Sequence, residues 1–402
     1  MHDASDSTPA TTAVVIEARR LPTAKAGGPY RSHRAHELGA AAIRALVDAS
    51  GVDPATIDDV ILGNATGGGG NVARLAALTA GLPESVPGLT VDRQCGSGLE
   101  AVVLACRLIQ AGAGDTYVAG GVESISTAPA RAHRAADGSL EFFDRAQFAP
   151  LATGDPDAGT AAENVATHYS ISRERQDAYA LASHARAVAA AAAGRFATET
   201  VPFAGLAADQ GPRANLTPAL MARFPAAFVD GGTVTAGNSC PYSDGAAVLL
   251  VTSLERARGM AADGLVFRDS AVAGNDPNLL GVGAAHSTRD LMARTGLSGA
   301  GLGASLVEFN EAFAAQVLAV ADLLGVDPAL FNHDGGALAL GHPYGASGAV
   351  LVTRLLARAR RLAGLGAGSA RGPVPQDAVA MVSMAGGMGI SAQFRWAAFR
   401  EG

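Results

Sequence analysis

The stretch Val91-Asp92-Arg93-Gln94-Cys95-Gly96-Ser97-Gly98-Leu99-Glu100, running on through Ala101 to Gly112, decides how the chain is read. From Leu99 onward, Leu99, Val102, Val103, Cys106 and Ile109 recur at helical spacing, which predicts an amphipathic helix with one apolar stripe. Gly88 to Val91 reads as a strand, so Cys95 falls where a strand turns into a helix. Gly96, Ser97 and Gly98 are small enough to let another backbone or a ligand come close. At a helix start, unpaired N–H groups and the helix dipole favour a thiolate. A second reading makes Cys95 a small buried residue in a tight turn. This stretch alone leaves both open.

Outward from it, short strands and helices alternate. Ala13 to Ala18 and Val60 to Gly63 read as strands, with helices over His36 to Ser50 and Arg74 to Ala80. Thr116 to Gly121 is again a strand opening into glycines. This alternation predicts a layered α/β unit with a parallel or mixed sheet. Residues 124 to 242 change character, richer in Pro, Ala and charge, with a long helical run from Arg173 to Gly194. That segment reads as an insertion riding on the sheet. The strand–helix pattern then resumes with Ala246 to Ser253, Val266 to Asp269 and Leu306 to Phe309. Helices over 312–324 and 349–363 and a strand from Ala378 to Ser383 follow. Each half ends a strand in glycines, at Gly120-Gly121 and at Gly386-Gly387, which suggests an internal duplication. Residues 1–12 read as a loose arm and 363–377 as a surface loop.

Composition narrows the function. With 402 residues, 49% of them hydrophobic, the chain can bury a large core. A net charge of −7 without any basic run argues against nucleic acid or an anionic membrane surface as partner. The three cysteines, Cys95, Cys106 and Cys240, lack metal-ligand or CxxC spacing, so neither a metal site nor a disulfide framework is expected. Gly67 to Gly70 lacks the Gly-Lys-Ser/Thr ending of a phosphate-binding loop. His2 to Thr12 has no signal-peptide pattern, and no apolar run reaches transmembrane length. A cytoplasmic protein is expected.

Three further stretches carry chemistry. Asn310-Glu311-Ala312-Phe313 sets an amide and a carboxylate just after a strand, where a helix N-cap is the plain alternative. Gly341-His342-Pro343-Tyr344-Gly345-Ala346-Ser347-Gly348 puts a histidine among glycines before a helix, able to move a proton with room for substrate beside it. Gly386-Gly387-Met388-Gly389 lets backbone approach closely at a strand end.

Taken together these stretches resemble the thiolase family, enzymes that make or cleave β-ketoacyl-CoA. Gly121-Val122-Glu123-Ser124, Ala162-Glu163-Asn164-Val165-Ala166 and Gly232-Thr233-Val234-Thr235-Ala236-Gly237-Asn238 add to the match, which runs from Arg20-Leu21-Pro22 to Gly389. The resemblance implies a duplicated five-layer α/β/α/β/α sandwich. Residues 1–123 with 243–268 would form one half, 124–242 an inserted loop domain that binds coenzyme A, and 269–402 the other half. It implies no permanently bound cofactor, with acyl-CoA and coenzyme A as substrates, and a homodimer or dimer of dimers. Cys95 matches the nucleophile and His342 its base. His342 would also share an oxyanion hole with a water held by Asn310. The backbone N–H groups of Cys95 and Gly387 would form a second hole. Arg213 falls where the nucleotide end of coenzyme A is contacted, and Ala236 and Cys240 where pantetheine packs.

The sequence also departs from the family. Its second cysteine, which takes a proton from the substrate Cα, is matched by Ser383. A thiol titrates near about 8.5, and a serine hydroxyl is a far weaker acid. Acylation of Cys95 is expected to survive this exchange, while carbon–carbon bond formation is in question unless Cys240 substitutes. The pantetheine loop carries Cys240-Pro241 in place of a serine, and Asp157-Ala158 replaces the usual His-Met. An acyl-CoA C-acyltransferase is the first reading. The alternatives are a thioesterase-like acyltransferase without efficient Claisen activity, or a weakened partner subunit.

Overall fold

A computed structural model describes residues 11–365 and 373–399. The expected N-terminal arm therefore lies almost wholly outside the described residues, as does the middle of the expected 363–377 loop. The first half runs β1 (Ala13–Arg20), α1 (Ala35–Ser50), β2 (Asp59–Gly63), α2 (Val72–Ala80), β3 (Gly88–Val91), α3 (Ser97–Gln110) and β4 (Thr116–Glu123). An insertion follows, with a small hairpin of Arg131–Arg134 and Leu140–Phe143 and two helices, α4 (Ala158–His168) and α5 (Arg173–Ala192). The chain returns to the sheet in β5 (Ser243–Ser253). The second half comprises β6 (Asp263–Gly274), α6 (Gly283–Thr295), β7 (Leu306–Phe309), α7 (Ala314–Leu324), α8 (Tyr344–Leu362), β8 (Asp377–Met384) and β9 (Met388–Ala398).

The strands form one hydrogen-bonded path in the order β7-β8-β9-β6-β1-β5-β4-β2-β3. Its two arms repeat each other. β1 pairs antiparallel with β5 and β5 antiparallel with β4, while β4, β2 and β3 run parallel. In the second arm β6 pairs antiparallel with β9 and β9 antiparallel with β8, with β8 and β7 parallel. A parallel bridge from Val307 to Phe331 stands where β3 stands in the first arm. The arms are joined by the pairs Val14–Val266 and Val15–Leu265.

Strand alternation then builds the layers. Val14, Val60, Val118 and Val248 face α1 and α2, while their neighbours Val15, Ile61, Ala119 and Leu249 face a central core. That core holds Leu99, Val102 and Cys106 of α3 and Val352, Leu355 and Leu356 of α8, with Ala380, Val382 and Phe394 closing it from the other side. Val379 and Met381 turn outward to α6 and α7. The result is five layers, α1/α2, sheet, α3/α8, sheet and α6/α7. Strands covered on both faces by helices read as continuous apolar runs, which explains Thr116–Glu123 and Ser243–Ser253.

Several boundaries move. The expected junction after residue 268 cuts through β6, whose ladder to β9 runs from Asp263–Ala398 to Gly274–Met388 and carries the whole strand with the second half. The helix expected at 349 begins at Tyr344. The sheet does not end at Ser383: β9 follows, held by ladders on both edges although Gly389, Ser391 and Gln393 give it little strand propensity.

Candidate active site

Cys95 lies two residues before α3, after Gln94, which holds the left-handed conformation at φ 49°. The turn is locked by its own side chains. Asp92 accepts from the Gln94 N–H at 2.8 Å, and the Ser97 hydroxyl accepts from Arg93 N–H and donates to Gln94 O. A strained turn between strand and helix pushes the cysteine out of the regular backbone pattern. Burial pushes its thiol up to about 12, opposed by the nearby backbone N–H of Ala385.

The His342 loop is pressed against this helix start. A Cβ on Gly98 would lie 2.6 Å from Gly345 O, and one on Gly348 would lie 2.3 Å from Leu99 N, so only glycine allows α3 and α8 to cross this closely. Glu123, at the end of β4, fixes the same loop. Its carboxylate accepts from Gly345 N at 2.9 Å, from Asn64 Nδ2 at 2.8 Å and from Thr66 Oγ1 at 2.6 Å.

His342 is 2% exposed, and burial holds it neutral, with its pKa pushed down to about 3. Nδ1 stands 2.6 Å from Ser347 Oγ, and that hydroxyl donates to Pro343 O at 3.0 Å. A hydroxyl with its one proton spent accepts from Nδ1–H and leaves the lone pair on Nε2. Nε2 faces the Asn310 amide, 3.3 Å from Nδ2. Asn310 does not cap a helix, since α7 begins only at Ala314 with Phe313 at its N-cap. Its neighbour Glu311 is the buried anchor of this loop, accepting from Tyr179, Ser183 and Asn332 side chains.

These two loops, with the Cys95 turn, fall within matches to two family models: thiolase N-terminal domain over residues 13–255 and thiolase C-terminal domain over residues 264–394. The chain belongs to the thiolase family. The class expected from the sequence, an acyltransferase handling acyl-CoA, stands with it. Curated relatives include a putative acetyl-CoA C-acetyltransferase, YhfS, of Bacillus subtilis, 44% identical over 95% of this chain and 98% of that protein. Another, VraB of Staphylococcus aureus, is 43% identical over 85% and 92%. Among solved structures, the Bacillus anthracis acetyl-CoA acetyltransferase superposes with a TM-score of 0.87 at 33% identity, covering 96% of this chain and 99% of that one. The human mitochondrial 3-ketoacyl-CoA thiolase in complex with CoA gives 0.87 at 32% identity over 96% and 98%.

One expectation for this thiolase site is corrected by its geometry. Ser383 does not face the Cys95 side of β8; its hydroxyl donates to Gly281 O at 2.7 Å and accepts from Ala284 N at 2.9 Å, closing the start of α6. Strand alternation requires this, because Val382 and Met384 already occupy the α3 face. The Gly387 carbonyl accepts from Asn275 N at 2.7 Å. Gly386 and Gly387, at φ 81° and 75°, reverse the chain between β8 and β9. The backbone N–H of Ala385 lies near the Cys95 sulfur.

The insertion supplies the remaining candidates. Glu163 accepts from Thr233 N and Val234 N, which fixes the loop bearing Ala236 at the surface. Cys240 N donates to Ala312 O at 2.9 Å, joining this loop to the Asn310 turn. Arg213 is part-exposed beside His184, whose Nδ1 accepts from Arg213 N at 3.2 Å. Among the described residues Arg213 has no carboxylate within ion-pair reach. Sequence reasoning missed Ser347 and the anchoring work of Glu123, although both lie inside stretches it singled out. Among the described residues there is no cluster able to hold a metal ion, and no helix is long and apolar enough to cross a membrane.

Proposed function

We propose that the chain joins or splits acyl units of β-ketoacyl-CoA by a ping-pong route through an acyl-Cys95 thioester. His342 Nε2 takes the thiol proton as the Cys95 sulfur attacks the thioester carbonyl. The developing oxyanion is met by the Cys95 and Ala385 N–H groups, donors worth several kcal/mol when pre-aimed, about 3 kcal/mol each. His342 then returns the proton to the departing coenzyme A sulfur. In the second half-reaction the acyl group moves from Cys95 to the Cα of another acyl-CoA, with Asn310 and His342 beside the second thioester oxygen. Arg213 meets the nucleotide end of coenzyme A, and Ala236 and Cys240 line the pantetheine path. A dimer or dimer of dimers working in the cytoplasm completes the reading.

The observation that carries this reading is the packing of the loop that bears the buried, neutral His342 against the helix start that follows Cys95. Incubation with acetyl-CoA is expected to add one acetyl group to the intact protein, on a peptide containing Cys95, and Cys95→Ala abolishes it. Full labelling in that variant overturns the assignment. Measuring free coenzyme A and β-keto product separately distinguishes condensation from simple thioester hydrolysis.

A further inference from the structure

We propose that the thiol of Cys240 carries the proton to and from the substrate Cα when the carbon–carbon bond is made or broken. The inference rests on the acyl-Cys95 reading. Joining two acyl units through carbon requires a group beside the acyl-Cys95 thioester that can remove a proton from the Cα of the incoming acyl-CoA. Most nearby groups are already committed. Glu123 and Glu311 are fully buried and spend their oxygens on backbone and side-chain donors. Ser383 is turned to the other face of β8, bonded to Gly281 and Ala284. His342 serves Cys95.

Cys240 remains, and the backbone puts it in the right place. Ser239 forms a bridge with Phe313, Cys240 N donates to Ala312 O, and Tyr242 forms a bridge with His342. Ser243 Oγ then accepts from His342 N at 3.2 Å. Residues 239–243 therefore span the gap between the Asn310 turn and the His342 loop, with Cys240 between them. It is a free, part-exposed thiol. A charge on Cys95 bears on Cys240, and both bear on the Tyr344 hydroxyl, which puts the three in one neighbourhood.

In the cleavage direction the Cys95 sulfur attacks the β-keto carbon and the Cα–Cβ bond breaks. The electron pair left on Cα takes the Cys240 proton, giving acyl-CoA and a Cys240 thiolate. In condensation Cys240 first gives up its own proton to solvent; its thiolate then removes a Cα proton and the resulting enolate attacks the acyl-Cys95 carbonyl. The carbon–sulfur bond then breaks, and the Cys95 thiolate that leaves takes up a proton from solvent. Burial keeps the resting Cys240 protonated, the state that cleavage needs. Acylated Cys95 cannot ionise, so no second thiolate forms to oppose a Cys240 thiolate.

The test follows full-length wild type, Cys240→Ser and Cys240→Ala with acetyl-CoA in deuterated water. Three rates are read: acylation of Cys95, exchange of acetyl hydrogens for deuterium, and β-keto product. The expected result is a ratio of exchange to Cys95 acylation, and of condensation to acylation, each lower than in wild type by about a hundredfold or more. A substitution that merely loosens the loop lowers all three rates together. An unchanged ratio of exchange to acylation in both variants overturns the proposal, as does a wild type that acylates Cys95 yet neither exchanges nor condenses. A wild type that fails to acylate Cys95 removes the underlying reading instead.

Discussion

Ser347 Oγ lies 2.6 Å from Nδ1 of His342, and the same hydroxyl donates to Pro343 O in the first turn of α8. This pair fixes both the orientation and the tautomer of the imidazole, so that Nε2 presents a lone pair toward the site. Replacing Ser347 with alanine leaves the buried Nδ1–H without its acceptor. A buried donor that loses its partner costs about 1–3 kcal/mol. We expect Ser347→Ala to slow single-turnover acylation of Cys95 by about ten- to a hundredfold while the KM for acyl-CoA barely moves. An unchanged acylation rate would show that packing alone orients His342.

Burial acts on Cys95 and His342 in the same direction, favouring a neutral thiol beside a neutral imidazole over a thiolate–imidazolium pair. Alkylation by iodoacetamide requires the thiolate. Its rate at Cys95 is therefore expected to rise about tenfold per pH unit and still to be climbing at about pH 9, beyond the ordinary thiol value. A plateau below neutral pH would mean that the ion pair forms in the resting enzyme.

The same shift on His342 has a stability consequence. Its folded pKa lies below the unfolded value, so the unfolded chain binds the proton first as pH falls. The contribution is complete above about pH 6.5 and is lost progressively on acidification toward about 3. Between pH 7 and pH 5 wild type is expected to lose about 2 kcal/mol from this group. His342→Gln should not show that loss. Urea unfolding of both proteins at the two pH values checks it, and parallel losses would reject the assignment.

Ser383 is expected to matter to folding. Ser383→Ala removes two buried hydrogen bonds and leaves Gly281 O and Ala284 N unpaired. A loss of about 1–3 kcal/mol per orphaned group is the expected scale. Denaturant midpoints of wild type and variant measure it. A variant as stable as wild type would place the hydroxyl elsewhere in solution.

Arg213 is the cationic candidate for the nucleotide of coenzyme A. With Arg213→Ala, the KM for acyl-CoA is expected to rise about tenfold, the scale of one lost charge-assisted hydrogen bond. The KM for acyl-pantetheine should stay put. Equal effects on both substrates would remove Arg213 from the nucleotide.

What the sequence determined by itself was whatever local pattern encodes. The 3.6-residue stripe of α3, the apolar run of β5 and the glycines around His342 are readable because neighbours along the chain suffice to specify them. The family motifs carried the candidate nucleophile and the layer order for the same reason. Tertiary structure alone decided which groups face which. Ser383 sits in the right stretch, but strand alternation turns it to α6. The strand β9 forms because β8 and β6 offer it ladders on both sides, which no propensity within Met388–Ala398 records. Cys240 shares a site with Cys95 only because its loop bridges Phe313 and His342, more than seventy residues away in the chain. Contacts of that sequence separation depend on how two half-domains pack, and packing is a property of the folded whole.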